Sequence, residues 1–172
     1  LLCLGVVLGF VGVGFGQRNL EWANSTGGSL NDDASSIALD NNGNVLIIGS
    51  FDGTVDFNPG SGVNNITSSS LSGFNDMFIQ KLDQNGNLNW VKRLGNIDGN
   101  IQGNKIIVDQ NDNIYITGFY SKDIDFDPGT GVQLHSSTDI KVPFVGLLPA
   151  NDILIVKVNN LGEDQWVEAV GV

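Results

Sequence analysis

Two stretches of the chain say nearly the same thing. Val55–Val63 reads VDFNPGSGV and Ile124–Val132 reads IDFDPGTGV. A shift of 69 residues lays SIALDNNGNVLIIGSFDGTVDFNPGSGV on KIIVDQNDNIYITGFYSKDIDFDPGTGV. Ile37 then falls on Ile106, Asp40 on Asp109, Asn44 on Asn113, Gly49 on Gly118, Phe57 on Phe126 and Pro59 on Pro128. Further along the shift becomes 76, and DMFIQKLDQNGNLNWVKRLG falls on DILIVKVNNLGEDQWVEAVG. Asp76, Lys81, Gly86 and Trp90 there match Asp152, Lys157, Gly162 and Trp166. The seven extra residues lie in QLHSSTDIKVPFVGLLPAN, a surface-loop insertion. A third copy of the tryptophan phrase, NLEWANSTGG with Trp22, precedes both. Three collinear registers mean a chain built by stacking one unit.

Each unit divides into four short strands. They are Ser36–Leu39, Val45–Phe51, Met77–Leu82 and Leu88–Leu94 in repeat one. In repeat two they are Lys105–Val108, Ile114–Tyr120, Ile153–Val158 and Gln165–Val170. β-branched and aromatic residues fill them, and Asn, Asp and Gly separate them. No segment holds a 3.6-residue period, so helix is not expected. The second strand is apolar on both faces (VLII, IYI), as in strands covered on both sides. Four-stranded antiparallel units with two buried faces are the blades of a β-propeller, and the fold class is all-β.

The phrases IALDNNGNVLIIGSF with DMFIQKLDQNGNLNWVKRLGN, and IIVDQNDNIYITGFY with DILIVKVNNLGEDQWVEAVG, resemble the SBBP β-propeller repeat over most of Asn19–Val172. DFNPG and DFDPG resemble the form found in secreted and cell-surface proteins of Bacteroidetes-type bacteria. The resemblance implies a fold, and fold alone does not imply an activity.

Rings of this kind close with about four to eight blades. Two repeats fall short of that, so the sequence reads as an N-terminal fragment of a longer protein. Residues 19–25 read as a closing strand, repeat one spans about 34–94 and repeat two about 103–172, within a partial propeller over 17–172. Ahead of it, LLCLGVVLGFVGVGFG has no charge and ends in Gly14 and Gly16. That is the apolar region and small-residue cleavage site of a signal peptide, 1–16, itself clipped at its start. The run is short for a bilayer span, which takes about 20 residues. With Cys3 removed the mature chain has no cysteine, hence no disulfide or thiolate site.

The chain carries 8 Lys+Arg against 19 Asp+Glu, a net charge of -11. So few cations argue against nucleic acid or an anionic membrane surface as partner. His135 is the only histidine and lies in a polar connection, and no Ser-His-Asp set assembles around it. The tryptophans recur at equivalent positions and read as packing between blades, with Trp22 and Trp166 as alternative glycan-stacking surfaces. The phrases Asp40/Asn42/Asn44, Asp83/Asn85/Asn87 and Asp109/Asn111/Asn113 open like a calcium loop. The twelfth positions, Phe51, Leu94 and Tyr120, lack its glutamate, so the phrases read as hairpin turns.

In the second copy of the opening phrase, Asp123, Asp125 and Asp127 alternate with Ile124 and Phe126, which sets three carboxylates on one face of an extended segment. They are the candidate calcium ligands, and calcium is the one cofactor the pattern admits. The first copy keeps only Asp56 of that set, so the demand shared by both copies is structural. Each blade needs the same excursion, pinned by Phe57 or Phe126, between its second and third strands. The expected function is a non-catalytic secreted or cell-surface module that binds protein or glycan. The alternatives are a spacer in a multidomain surface protein or an appendage of a secreted enzyme.

Overall fold

The structure is a computed structural model and describes residues 20–69, 74–127, 129–142 and 146–170. The signal-peptide span expected over 1–16 lies outside the described residues. In chain order the elements are β1 (Gly27–Gly28), β2 (Asp32–Leu39), β3 (Val45–Phe51), β4 (Thr54–Asp56), β5 (Asn65–Thr67), β6 (Asp76–Leu82), β7 (Leu88–Leu94) and β8 (Asn100–Val108). They continue as β9 (Ile114–Ser121), β10 (Asp123–Asp125), β11 (Leu134–Ser136), β12 (Asp139–Val142), β13 (Gly146–Pro149), β14 (Asp152–Val158) and β15 (Asp164–Val170).

Two four-stranded antiparallel sheets form, β2-β3-β6-β7 and β8-β9-β14-β15. These are the two blades, and the fold is an all-β, propeller-like arrangement. In each blade the chain meanders. The two hairpin turns lie at one end, and the long excursion between second and third strands lies at the other. The excursion pairs as β4-β5 in the first blade, with β1 added beside β4, and as β10-β11 in the second.

The first strand of each blade begins four or five residues earlier than the sequence indicates, at Asp32 and Asn100, while the other blade strands begin within one residue of the expected start. A bulge explains the extension. Register shifts between Ala34 and Ser36, and at the same place between Gly103 and Lys105, so pairing continues past a residue that breaks the alternation. Gly49 and Gly118 sit opposite these bulges. A Cβ at Gly49 would collide with the Asp33 carbonyl oxygen, and one at Gly118 with that of Gln102. Glycine recurs here because neighbouring backbone already fills the space.

Residues 20–26 run irregularly along the first blade up to β1. The closing strand expected over 19–25 would pair with the inner strands of the last blade of a ring, and the described residues hold only the two blades that follow it. Within the insertion of repeat two, Asp139–Val142 and Gly146–Pro149 pair as an antiparallel ribbon.

The blades pack face to face. Leu46, Ile48, Met77 and Ile79 on one face of the first blade meet Ile106, Ile114, Ile116, Leu154, Val156 and Val158 of the second in one buried cluster. Strand β8 is the hinge of this seam and lies against β2, β3 and β6. The far face of the first blade holds a smaller cluster, Phe51, Val55, Phe57 and Phe78. Its rings meet edge-on or tilted, with Phe51 and Phe57 centroids 5.3 Å apart and Phe57 and Phe78 4.9 Å apart.

Gly118→Ala should therefore destabilise the fold by about 1–3 kcal/mol, as overpacking does where backbone has to shift. Urea denaturation should show a lowered midpoint. An unchanged midpoint would mean that the bulge opposite Gly118 is dispensable.

Candidate functional site

At the hairpin end of the blades, each turn is closed by its own first side chain. Asp40 Oδ1 accepts from the Asn42 and Asn44 amides at 2.9 and 2.8 Å, and Asn44 Nδ2 donates to Asp40 Oδ2 at 2.7 Å. Asp83 with Asn85 and Asn87, and Asp109 with Asn111 and Asn113, repeat the pattern. The fourth turn reaches the same geometry with different residues. Asn159 Oδ1 accepts from the Leu161 and Glu163 amides, and Asn159 Nδ2 donates to Glu163 Oε2. The turn reading of these phrases therefore holds. The carboxylates that suggest calcium are engaged with the turn's own amides, which is how Asx turns form.

Charge follows from those bonds. The Asn113 side-chain amide, with the Asn111 and Asn113 backbone and the Tyr115 hydroxyl, brings Asp109 from 3.8 to about 2 against the opposing pull of desolvation. Asn87 holds Asp83 low in the same way. At Asp40 burial raises the pKa, but Lys81 and Asn44 together outweigh it and the net shift is downward. The Lys81–Asp40 pair is buried, at 2.8 Å. Lys81 Nζ also reaches the Asn160 carbonyl of the next blade at 3.4 Å, so the pair ties a turn of one blade to a turn of the other.

The opposite end explains the repeated phrase. Asp56 Oδ1 accepts from the amides of Asn58, at 3.0 Å, and Asn64, at 2.8 Å. Asp125 Oδ1 does the same for Asp127, at 3.0 Å, and Gln133, at 2.9 Å. One carboxylate thus closes a whole loop, and the two amides, Asn64 first, hold Asp56 below the usual carboxylate range. Phe57 and Phe126 are buried beneath. Phe126 lies edge-on to Tyr120 at 5.3 Å and to His135 at 5.4 Å. His135 is on β11, opposite Ile124, in a packing position. Burial first, then Asp152, pushes the Tyr120 phenol upward.

Two polar grooves open at this end. One, of about 480 Å³, runs along the seam and is lined by Lys92, Arg93, Asp125, Asp127 and Thr130. The other, of about 540 Å³, is lined by Asp98, Lys122, Asp123 and Asp139. The three candidate calcium ligands are thus divided, with Asp125 and Asp127 on the first groove and Asp123 on the second. Among the described residues no group of three or more His, Cys, Asp or Glu side chains is placed to hold a metal ion. Arg93 is held in position by the fully buried Asp76, at 2.8 Å. The repeat does not reveal this ion pair, because Ala169 stands at the position equivalent to Arg93.

Tryptophan has a definite partner that its spacing alone does not name. Trp90 Nε1 donates to the Asn160 carbonyl at 3.1 Å, across the seam. Its ring lies so close to Gly162 that a Cβ there would stand 3.0 Å from it. Trp22 repeats both contacts one unit earlier. Its Nε1 donates to the Gln84 carbonyl at 3.0 Å, and its ring covers Gly86, also at 3.0 Å. Asn24 adds a bond to the Gly86 carbonyl at 2.8 Å. Each ring therefore caps the third-to-fourth-strand hairpin of the blade that follows. Trp166 has no following hairpin among the described residues and lies against Tyr115 of its own blade, with ring centroids 6.3 Å apart.

Residues 89–118 match the family model of the SBBP β-propeller repeat. The repeat is of the propeller type. The matched stretch runs from β7 of the first blade through β8 into β9 of the second, so it includes the strand that forms the seam. No curated protein matches the chain.

Asp109 gives a pH dependence with a definite sign. Its pKa is depressed on folding, so its contribution is present above about 4 and is lost as the pH falls toward 2. Asp109→Asn should flatten the fall in urea midpoint across that window. An equally steep fall in the variant would place the acid sensitivity elsewhere.

Proposed function

We propose that this chain is a non-catalytic, exported binding module that recognises a polar ligand, protein or glycan, through the excursion end of its blades. A β-propeller repeat of this type points to an interaction or scaffold role. The observation that carries the reading further is the pair of polar grooves beside the second excursion. The seam groove is lined by cationic groups at Lys92 and Arg93, carboxylates at Asp125 and Asp127 and a hydroxyl at Thr130. Fixed donors and acceptors on a rigid frame suit hydroxyl-rich or amide-rich ligands. At the excursion end Asp125 Oδ1 closes the loop and Arg93 pairs with Asp76, so the binding surface is built on groups that the fold itself holds in place.

Two measurements test the proposal. Glycan and peptide arrays should show binding by the chain, and Thr130→Trp, which fills the seam groove, should abolish it with an unchanged melting temperature. Binding that survives the substitution would move the site elsewhere, and an absence of ligands on both arrays would favour the spacer role. Export is tested separately. Mass mapping of secreted protein should find Gln17 at the mature N-terminus, and an intact Leu1–Gly16 would refute the processing.

A further inference from the structure

The seam groove departs from the repeat in its charge. Lys92 and Arg93 line it from β7, and the 76-residue shift places Glu168 and Ala169 at those positions in the second blade. The tryptophan phrase that precedes both blades has Asn24 and Ser25 there. The fold of the repeat therefore demands neither cation. Yet a chain of net charge -11 sets two of its eight basic residues next to each other at this groove.

Both cations are available to a ligand. Arg93 makes its two bonds through Nη1, to Asp76 Oδ2 at 2.8 Å and to Ser69 Oγ at 2.5 Å. The Asp76 side chain is 0% exposed and anchors the guanidinium, whereas that of Arg93 is 34% exposed. Nε and Nη2 are left to hold an anion in the fork geometry that suits a carboxylate. Lys92 is half-buried and pairs with no carboxylate among the described residues. On the other wall, Asp125 Oδ1 is used by its own loop, and Asp127 Oδ1 accepts from the Gly129 amide at 2.6 Å. Asp127 Oδ2 and the Thr130 hydroxyl remain as partners for hydroxyl groups.

We propose that the seam groove binds an acidic oligosaccharide, a chain of uronic acid residues. This rests on the binding role of the groove argued above and names its ligand class. Lys92 and Arg93 are consecutive on β7, so their side chains leave opposite faces of the strand. Because β7 is the edge of its sheet, the two charges are spread across that edge and not focused on one point. That spread fits carboxylates repeated along a ligand. Each uronic acid ring brings one carboxylate, for Arg93 or Lys92, and hydroxyls that donate to Asp127 Oδ2 and Thr130. The side chains of an acidic peptide carry acceptors only and would set carboxylate against Asp125 and Asp127. The groove, of about 480 Å³, has the size of a small-ligand cleft.

Calorimetric titration of the whole chain with trigalacturonate, with the neutral galactose trimer and with a glutamate-rich peptide tests this. Trigalacturonate should bind at least tenfold more tightly than either, and its affinity should fall as salt screens the two cations. Lys92→Glu installs the residue that the second blade has there. It should weaken trigalacturonate binding at least tenfold with an unchanged melting temperature. Lys92→Asn, the residue of the earliest copy, serves if that variant misfolds. Arg93→Lys keeps a cation beside Asp76 but loses the fork, and it should weaken binding as well. Equal affinity for the neutral trimer would overturn the acidic ligand and leave the polar-ligand reading standing. Tighter binding of the peptide would overturn the sugar, and so would trigalacturonate binding that both Lys92 variants leave intact. If none of the three binds while arrays yield a ligand sensitive to Thr130→Trp, this ligand class fails alone. If the arrays yield none, the groove reading fails with it.

Discussion

An antiparallel sheet with large aliphatic side chains on both faces cannot stand alone in water. The rest of the molecule depends on the burial of Leu46, Ile48, Met77 and Ile79 against Ile106, Ile116, Leu154 and Val156. Each such side chain gains about 1.5–3 kcal/mol on leaving water, which outweighs the individual polar contacts around it. The seam therefore sets which faces meet, and the polar groups set their register. Gly103 permits the closest approach, since a Cβ there would stand 2.7 Å from the Met77 sulfur and 2.9 Å from Ile48 Cδ1.

Around the seam the polar residues act in closed local sets. The hairpin turns satisfy their own amides through Asp40, Asp83, Asp109 and Asn159, and neighbouring turns then join. Asn41 donates through its backbone amide to Asp112 Oδ1 at 2.9 Å, and Gln84 Nε2 donates to the Asn42 carbonyl at 2.6 Å. Buried ion pairs such as Lys81–Asp40 add little net stability, because desolvation offsets their attraction. Their value here is positional. Lys81 can touch both Asp40 and the Asn160 carbonyl only when the two blades are in register.

The two ends of the blade pair differ for a physical reason. Five-residue connections between adjacent strands leave room only for tight turns, and those use their donors and acceptors within and between the turns. The longer path from the second to the third strand rises off the blade, is closed by one aspartate and pinned by one phenylalanine, and leaves grooves beside it. In a chain of net charge -11, three of the eight Lys and Arg residues, Lys92, Arg93 and Lys122, line those grooves.

The sequence by itself determined the repeat, the eight main strands and the identity of the turns. Val45–Phe51 and Leu88–Leu94 have the ends that their apolar runs indicate, because Asp-Asn-Gly turns and glycines stop a strand through local chemistry. It also determined that DFNPG and DFDPG serve one structural need, since only Asp56 and its counterpart Asp125 are demanded in both copies. Only the tertiary structure decided what the tryptophans touch and how Asp123, Asp125 and Asp127 divide between two grooves. Those outcomes depend on contacts between residues some 60–80 positions apart, such as Trp22 with Gln84 and Trp90 with Asn160. Spacing places residues on a face, but which neighbour covers that face is fixed only when the blades pack.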